Sequence, residues 1–236
     1  MRLPRALDVA SSWTATSLRL GLGFVASHAG ERPAKTLELY DFEACPFCRK
    51  VREALSMLDL EVMVYPCPKR GPTYRQELIA RGGKAQFPYL VDPNTDTELY
   101  ESGAIIRYLY EHYGSRAAPL WLSSDLSVPL GGLASSVRLA RGSRYHPARR
   151  PEQPLELYSF EASPYSRIAR EALCELELPY LLHNTAVRSP SWRELAARTG
   201  TRKGTVMVPW LHDPNTGVEM FESADIVAYL YETYAS

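Results

Sequence analysis

Residues Leu37-Glu38-Leu39-Tyr40-Asp41-Phe42-Glu43-Ala44-Cys45-Pro46-Phe47-Cys48-Arg49 return as Leu155-Glu156-Leu157-Tyr158-Ser159-Phe160-Glu161-Ala162-Ser163-Pro164-Tyr165-Ser166-Arg167. The offset is 118 residues, half of a 236-residue chain. A repeat of that period means two copies of one unit in tandem, and each copy is long enough to bury its own core. From Pro88 and Pro209 onward the offset is 121, so the second copy carries three extra residues ahead of its proline. The expected units are 1–118, with a core over 36–114, and 119–236, with a core over 154–235. A connector near 115–153, rich in Gly, Ser, Pro and Arg, joins them.

Both copies read as the same order of elements. In the first, a strand near 36–41 leads into a helix near 46–58, whose Phe47, Val51, Leu55 and Leu58 recur at helical spacing. A strand over Leu60–Tyr65 and a helix near 73–82 follow. Pro88-Tyr89-Leu90-Val91 is a short strand, and the turn Asp92-Pro93-Asn94-Thr95 returns it as a hairpin. Ser102 opens a last helix. The result is β-α-β-α-β-β-α, repeated in the second copy with strands near 154–159 and 179–184 and helices near 164–177 and 190–199. Ser17-Leu18-Arg19-Leu20-Gly21 is echoed by Ser136-Val137-Arg138-Leu139-Ala140, which predicts a short helix leading into each copy.

The chemistry sits in Cys45-Pro46-Phe47-Cys48. The first thiol falls where a strand gives way to a helix, beside the free N–H groups and the positive end of the dipole. Arg49, Lys50 and Arg52 add positive charge nearby. A thiol so placed shifts from ~8.5 into the range ~3.5–7.5. The second thiol, one turn on, is within reach for a disulfide. The residues therefore predict a thiol–disulfide site with Cys45 attacking and Cys48 resolving; two packed helix-start cysteines is the plain alternative. In the second copy both thiols are hydroxyls, Ser163 and Ser166, which cannot form a disulfide.

Composition narrows the rest. Charge is balanced, with 27 basic and 27 acidic residues, so neither nucleic acid nor an anionic membrane is an expected partner. The four cysteines, Cys45, Cys48, Cys67 and Cys174, are too few for a secreted disulfide framework and suit a reducing compartment. The expected location is cytoplasmic. The Arg- and Ser-bearing stretch Met1–Gly30 keeps a plastid-type leader as an option. The five histidines show no ligand spacing, and Cys45, Cys48 and Cys67 lack a fourth ligand, so no metal is expected. Cys67 reads as an incidental loop thiol and Cys174 as core.

These motifs together resemble the thioredoxin-like fold, and more narrowly glutaredoxins and the N-terminal domain of glutathione S-transferases, in two copies. The resemblance rests on the strand before Cys-Pro-Phe-Cys, the Phe87-Pro88 step and the Glu101-Ser102 helix start. It implies an α/β fold of two tandem thioredoxin-like domains, with glutathione as co-substrate. It makes Cys45 the nucleophile and Pro88 a cis-proline facing it. Phe47, Phe87, Pro88, Glu101 and Ser102 become the glutathione-binding set, the last two holding the γ-glutamyl group. A plain helix cap is the alternative for Glu101-Ser102. In the second copy Val208, Pro209, Glu222 and Ser223 keep these features, and Ser163 stands where it can hydrogen-bond a glutathione sulfur.

The sequence departs from that pattern in three places. Glu43 and Ala44 stand where many glutaredoxins carry a basic residue, and Glu43 opposes a thiolate. The glycine carboxylate of glutathione has no evident partner beyond Lys84 or Arg81. No stretch is left for the all-helical domain with which a transferase holds its electrophile. The expectation is a glutaredoxin-type oxidoreductase acting on disulfide or glutathionylated substrates, with a second domain that is structural or binds glutathione. A glutathione S-transferase-like enzyme and a binding or scaffold protein without turnover are the alternatives. The oligomeric state is left open.

Overall fold

The computed structural model describes residues 4–125, 128–201 and 206–236. The first half runs α1 (Arg5–Ser17), β1 (Leu37–Asp41), α2 (Pro46–Leu58), β2 (Val62–Pro66), α3 (Tyr74–Gly82), β3 (Tyr89–Asp92), β4 (Thr97–Tyr100) and α4 (Ser102–Tyr113). A short α5 (Leu120–Ser123) lies in the connector. The second half runs α6 (Val128–Val137), β5 (Leu155–Ser159), α7 (Pro164–Glu175), β6 (Tyr180–Asn184), α8 (Ser191–Thr199), β7 (Trp210–Asp213), β8 (Val218–Phe221) and α9 (Ser223–Tyr234). Each half has the element order of a thioredoxin-like unit, with boundaries within two residues of those read from the sequence.

Local chemistry explains the elements. Cys45 is the N-cap of α2 in extended conformation and Pro46 fills its first turn, where a missing N–H costs nothing. Asp59 ends the helix in the left-handed region at φ 56°. In the β3–β4 hairpin, Asp92 Oδ1 accepts from the Asn94 backbone N–H at 2.8 Å, and its Oδ2 accepts from Tyr108 and Tyr113 hydroxyls at 2.7 and 2.5 Å. The hydroxyls thereby pin the turn to α4. Asp213 repeats this with Asn215, Tyr229 and Tyr234.

The halves are joined through their sheets. The strand order is β4-β3-β1-β2-β6-β5-β7-β8, one eight-stranded sheet. Its central step is the antiparallel β2–β6 pair, with Val62 opposite Leu182 and Val64 opposite Tyr180. Each half alone would leave β2 or β6 as an open edge, and pairing the two removes both. Leu39, Val51, Leu55, Ile106, Leu157, Leu173, Leu182 and Ile226 belong to one apolar cluster that crosses the seam.

A helix leads into each half, but it lies largely ahead of the echoed residues: α1 ends at Ser17 and α6 at Val137, with Leu20 and Leu139 at positive φ. Each leads into its own half but lies on the other one: α1 packs against α7, and α6 against α2. Side chains explain the exchange. Ser12 Oγ donates to the Pro164 carbonyl at 2.7 Å, Thr16 Oγ1 donates to the Ala162 carbonyl at 3.1 Å, and Arg167 Nη1 donates to the Ser12 carbonyl at 2.8 Å. In α6, Gly131 sits so close to Pro46 that an added Cβ would meet Pro46 Cβ at 3.1 Å.

Between α2 and α7 lies a buried charge network with the symmetry of the repeat. Arg52 pairs with Asp41, with Glu43 at 3.3 Å and with Glu161 at 2.9 Å. Arg170 pairs with Glu43 at 3.1 Å and Glu161 at 2.9 Å. Outside them Arg19 holds Glu53, and Arg138 holds Glu171, both at 2.5 Å. This is why α2, amphipathic by sequence, is buried on every side from Cys48 to Leu58.

Candidate active site

Cys45 closes the loop after β1, and its Sγ accepts from the Cys48 backbone N–H at 3.2 Å. The fold thus brings both thiols to the first turn of α2. Burial alone would raise the Cys45 pKa. The hydrogen bonds from Cys48 and the Arg52 guanidinium outweigh that and hold it below the usual thiol range, against Asp41. Burial pushes the Cys48 thiol well up, and its interaction with the neighbouring Cys45 sulfur pushes the same way. The two thiols are thus driven in opposite directions, Cys45 down and Cys48 up.

Three sequence readings of this site need correction. Arg49 and Lys50 are not the charges that serve Cys45. Lys50 Nζ donates to the Ser124 carbonyl at 2.7 Å, and the Arg49 guanidinium lies 3.8 Å from Glu161; Arg52 is the effective cation. The opposing acid is Asp41, because the Glu43 carboxylate is turned into the seam toward Arg170 and Arg52. Finally, the sulfur is less open than a helix-start thiol suggests. Cys45 is 4 % exposed and Cys48 0 %, because α6 lies over the helix start. Phe47, by contrast, is 40 % exposed.

The Phe87–Pro88 peptide bond is cis, and so is Val208–Pro209. The β1–β3 ladder runs from Glu38–Val91 to Tyr40–Tyr89 and stops short of Phe87. The Phe87 ring meets Phe42 edge to face at 5.8 Å, with the Arg75 guanidinium 4.5 Å over it. Glu101 and Ser102 open α4, but the plain-cap explanation fails. Glu101 is the N-cap with φ 69°, and its side chain makes no capping hydrogen bond; instead it accepts from Gln86 Nε2. A non-glycine residue held at positive φ stores strain, and such residues gather at ligand sites. Glu222 repeats the conformation at φ 67°.

The other sequence candidates divide. Arg81 is engaged by Glu98 at 2.6 Å and Glu38 at 3.3 Å, so it is not a free partner for a carboxylate. Lys84 lies 4.4 Å over the Tyr100 ring. Cys67 is buried with its pKa raised well up by that burial, and its Sγ donates to the Tyr65 carbonyl at 3.4 Å. Cys174 is buried between the halves, its Sγ donating to the Gly142 carbonyl at 3.1 Å. No group of three His, Cys, Asp or Glu able to hold a metal ion occurs among the described residues. No helix among them is long and apolar enough to cross a membrane.

In the second half, Ser163 Oγ takes the place of the Cys45 sulfur and accepts from the Ser166 N–H at 3.1 Å. Arg5 of α1 reaches Glu222 at 3.4 Å. Arg5, Pro209, Glu222 and Ser223 line one cleft, while Ser163 and Val208 line a larger apolar one against Trp13. Sequence reasoning missed α1 as part of this site. Its signal was Trp13, an aromatic that falls opposite Gly132 when the Ser17 and Ser136 echoes are superposed.

A family model described as the glutathione S-transferase N-terminal domain matches residues 39–117 and again 157–236. A glutathione S-transferase-like protein, tpcF, of Aspergillus fumigatus is 40% identical over 67 residues. That match covers 27% of this chain and 28% of the relative, so the chain spans well under half of that protein's length. Among solved structures, TDR1 of Leishmania, described as a unique trimeric glutathione transferase, is similar at 15% identity over 86% of this chain and 68% of that one, with a TM-score of 0.30. Two matches, each beginning inside the first strand of its half and together covering most of the sequence, mean that this chain belongs to the glutathione S-transferase N-terminal domain family, as a tandem of two copies.

Proposed function

We propose that the chain is a glutathione-dependent thiol–disulfide oxidoreductase whose redox unit is residues 1–118. Residues 119–236 form a non-redox unit that covers the first and presents a glutathione-type site of its own. The observation that carries this reading is the Cys45–Cys48 pair: at the start of α2 the Cys48 backbone N–H donates to Cys45 Sγ, and the pKa values of the two thiols are driven apart. Membership of a glutathione transferase domain family supports glutathione as co-substrate.

The Cys45 thiolate attacks the glutathionyl sulfur of a mixed disulfide. A Cys45–glutathione disulfide forms and the substrate thiolate leaves. A second glutathione thiolate then attacks the glutathionyl sulfur, releasing oxidised glutathione and restoring Cys45. In the dithiol branch Cys48 gives up its proton and displaces glutathione instead, closing Cys45–Cys48, which two further glutathiones reduce. In this reading cis-Pro88 and the Phe87 backbone, beyond the end of the ladder, pair with the cysteinyl part of glutathione as an added strand would. Glu101 takes the γ-glutamyl ammonium, the start of α4 at Ser102 takes its carboxylate, and Phe47 flanks the ligand. A reducing compartment such as the cytoplasm suits these reactions.

The test is reduction of a glutathionylated peptide by the full chain. Cys45→Ser should abolish it, while Cys48→Ser should keep it and lose reduction of a dithiol-dependent protein disulfide. The family description also favours a transferase as second reading. In that case conjugation of an aryl halide should survive Cys48→Ser, and disulfide reduction should be absent from the wild type.

A further inference from the structure

The two halves build the mouths of their sites on one backbone plan and line them with opposite chemistry. In the second half the Val187 N–H donates to the Phe24 carbonyl at 2.8 Å, and the Ala26 N–H donates to the Val187 carbonyl at 2.9 Å. In the first half the Lys69 N–H donates to the Ser143 carbonyl at 2.6 Å, and the Tyr145 N–H donates to the Lys69 carbonyl at 3.1 Å. Each pair of bonds makes a parallel bridge, Val25 with Val187 and Lys69 with Arg144. The same geometry therefore carries two valines in the half without thiols and two cations in the half with them. Partners across a ladder share a face, and Lys69 and Arg144 are both exposed.

This bridge stands at the thiol site. Val187 lines the cleft that holds Ser163, so the repeat sets Lys69 at the mouth above Cys45. Gly142, which opens the strap to Arg144, packs on Glu43, where an added Cβ would meet Glu43 Cβ at 2.6 Å. Arg75 donates to the Cys67 and Pro68 carbonyls at 2.8 and 3.1 Å, which holds the loop that carries Lys69. The Arg75 guanidinium lies 4.5 Å over the ring of Phe87, the residue before cis-Pro88.

Lys69, Arg75 and Arg144 make no ion pair among the described residues. The acids behind them are committed elsewhere. Glu177 accepts from the Thr73 and Tyr74 N–H groups at 3.1 Å, and Glu43 is bonded to Arg170 and Arg52. Cations gathered without a counter-ion repel one another, and an anionic partner relieves that repulsion. An apolar partner has little to lean on here, because Gln86 and Gly132 stand where the second half has Met207 and Trp13.

We propose that Lys69, Arg75 and Arg144 form a cationic rim that selects, for the reaction at Cys45, polypeptide disulfides whose reacting cysteine is flanked by Asp and Glu. This rests on the oxidoreductase reading of the first half. The rim acts on encounter and binding, where exposed charges have most of their effect. Arg144 comes from the strap that leads into the second unit, so the thiol-free half supplies part of the substrate choice of the redox half.

The experiment compares two labelled peptides of equal length, each with one glutathionylated cysteine, flanked by Asp and Glu in one and by Lys in the other. Steady-state deglutathionylation by the full chain gives kcat and KM for each. The acidic peptide should be preferred about tenfold at low salt, the sum of a few exposed pairs of ordinary strength. The preference should lie in KM and fade in about 0.5 M NaCl. Lys69→Glu with Arg144→Glu should reverse it, and Lys69→Arg with Arg144→Lys should keep it. A purely structural strap would slow both peptides together and leave their ratio in place. That result, or a wild type that does not prefer the acidic peptide, overturns the proposal. So does a rise in the KM for glutathione as large as that for the acidic peptide, because the rim would then serve the co-substrate. Fluorescence anisotropy of the same peptides on the full chain carrying Cys45→Ser and Cys48→Ser reads the rim without turnover. If the native chain reduces neither peptide, the oxidoreductase reading fails. Tighter binding of the acidic peptide, lost on charge reversal, would then still uphold the rim, and equal binding would overturn it as well.

Discussion

At the scale of single residues, Cys45 is held between burial, which works against its thiolate, and the Cys48 hydrogen bonds and Arg52, which favour it. Because its pKa is lowered, the thiolate fraction rises with pH through a midpoint below that of a free thiol, ~8.5. Iodoacetamide trapping followed against pH should show that midpoint, and activity should fall as pH drops through it. Cys48, pushed the other way by burial, should alkylate only at higher pH or after unfolding. The thiol motif, its place at a helix start and the disarming of the second copy were all legible in the sequence. The identity of the helpful cation was not. Arg49, Lys50 and Arg52 are equal in a string of letters, and only packing turned Arg52 toward Asp41 and the thiols.

At the scale of elements, helix starts carry the proposed recognition. Glu101 stands at φ 69° without capping α4, so its conformation and its carboxylate are separable. Glu101→Gly should stabilise the fold by about 1 kcal/mol, because glycine adopts that φ without strain. It should also weaken glutathione binding about tenfold through loss of the ammonium partner. Thermal unfolding and calorimetry together check the opposite signs. A plain cap would instead lose stability and leave affinity alone. Element order was readable because strand and helix periods are local properties, and the hairpin because Asp92-Pro93-Asn94 is turn chemistry. The destination of α1 was not readable. Its polar face, Ser12 and Thr16, bonds to carbonyls of the loop and helix start at 162–164, and spacing along the chain says nothing of which half offers them.

At the scale of the molecule, two halves share one sheet and a buried ion network. Burial would raise the Glu161 pKa, but Arg170, Arg52, Arg49 and Arg167 hold it well below the usual carboxylate range. The sign follows from linkage. A carboxylate with a depressed folded pKa adds stability above its unfolded pKa, ~4.3, and that contribution is lost as pH falls through the folded value. Urea unfolding of the wild type against Glu161→Gln should therefore show a difference that is full at neutral pH and shrinks below about pH 4. Truncating Arg52 to alanine leaves the buried Asp41 without its cation, while Glu161 keeps Arg170, and should cost about 3–5 kcal/mol. The same variant should raise the Cys45 alkylation midpoint, which couples the seam to the site.

Local patterning and the period along the chain fix the duplicated unit, its strand and helix order, the Cys45–Cys48 pair and its replacement by Ser163 and Ser166 in the second copy. These are properties of nearest neighbours and of a period, and a chain carries them wherever it goes. Folding of both halves together settles that β2 pairs with β6, that Glu43 and Glu161 turn inward to arginines of the opposite half, and that α1 packs on α7. Those outcomes depend on which open edge and which buried charge meets its complement, and that is settled only when both halves are folded and face each other.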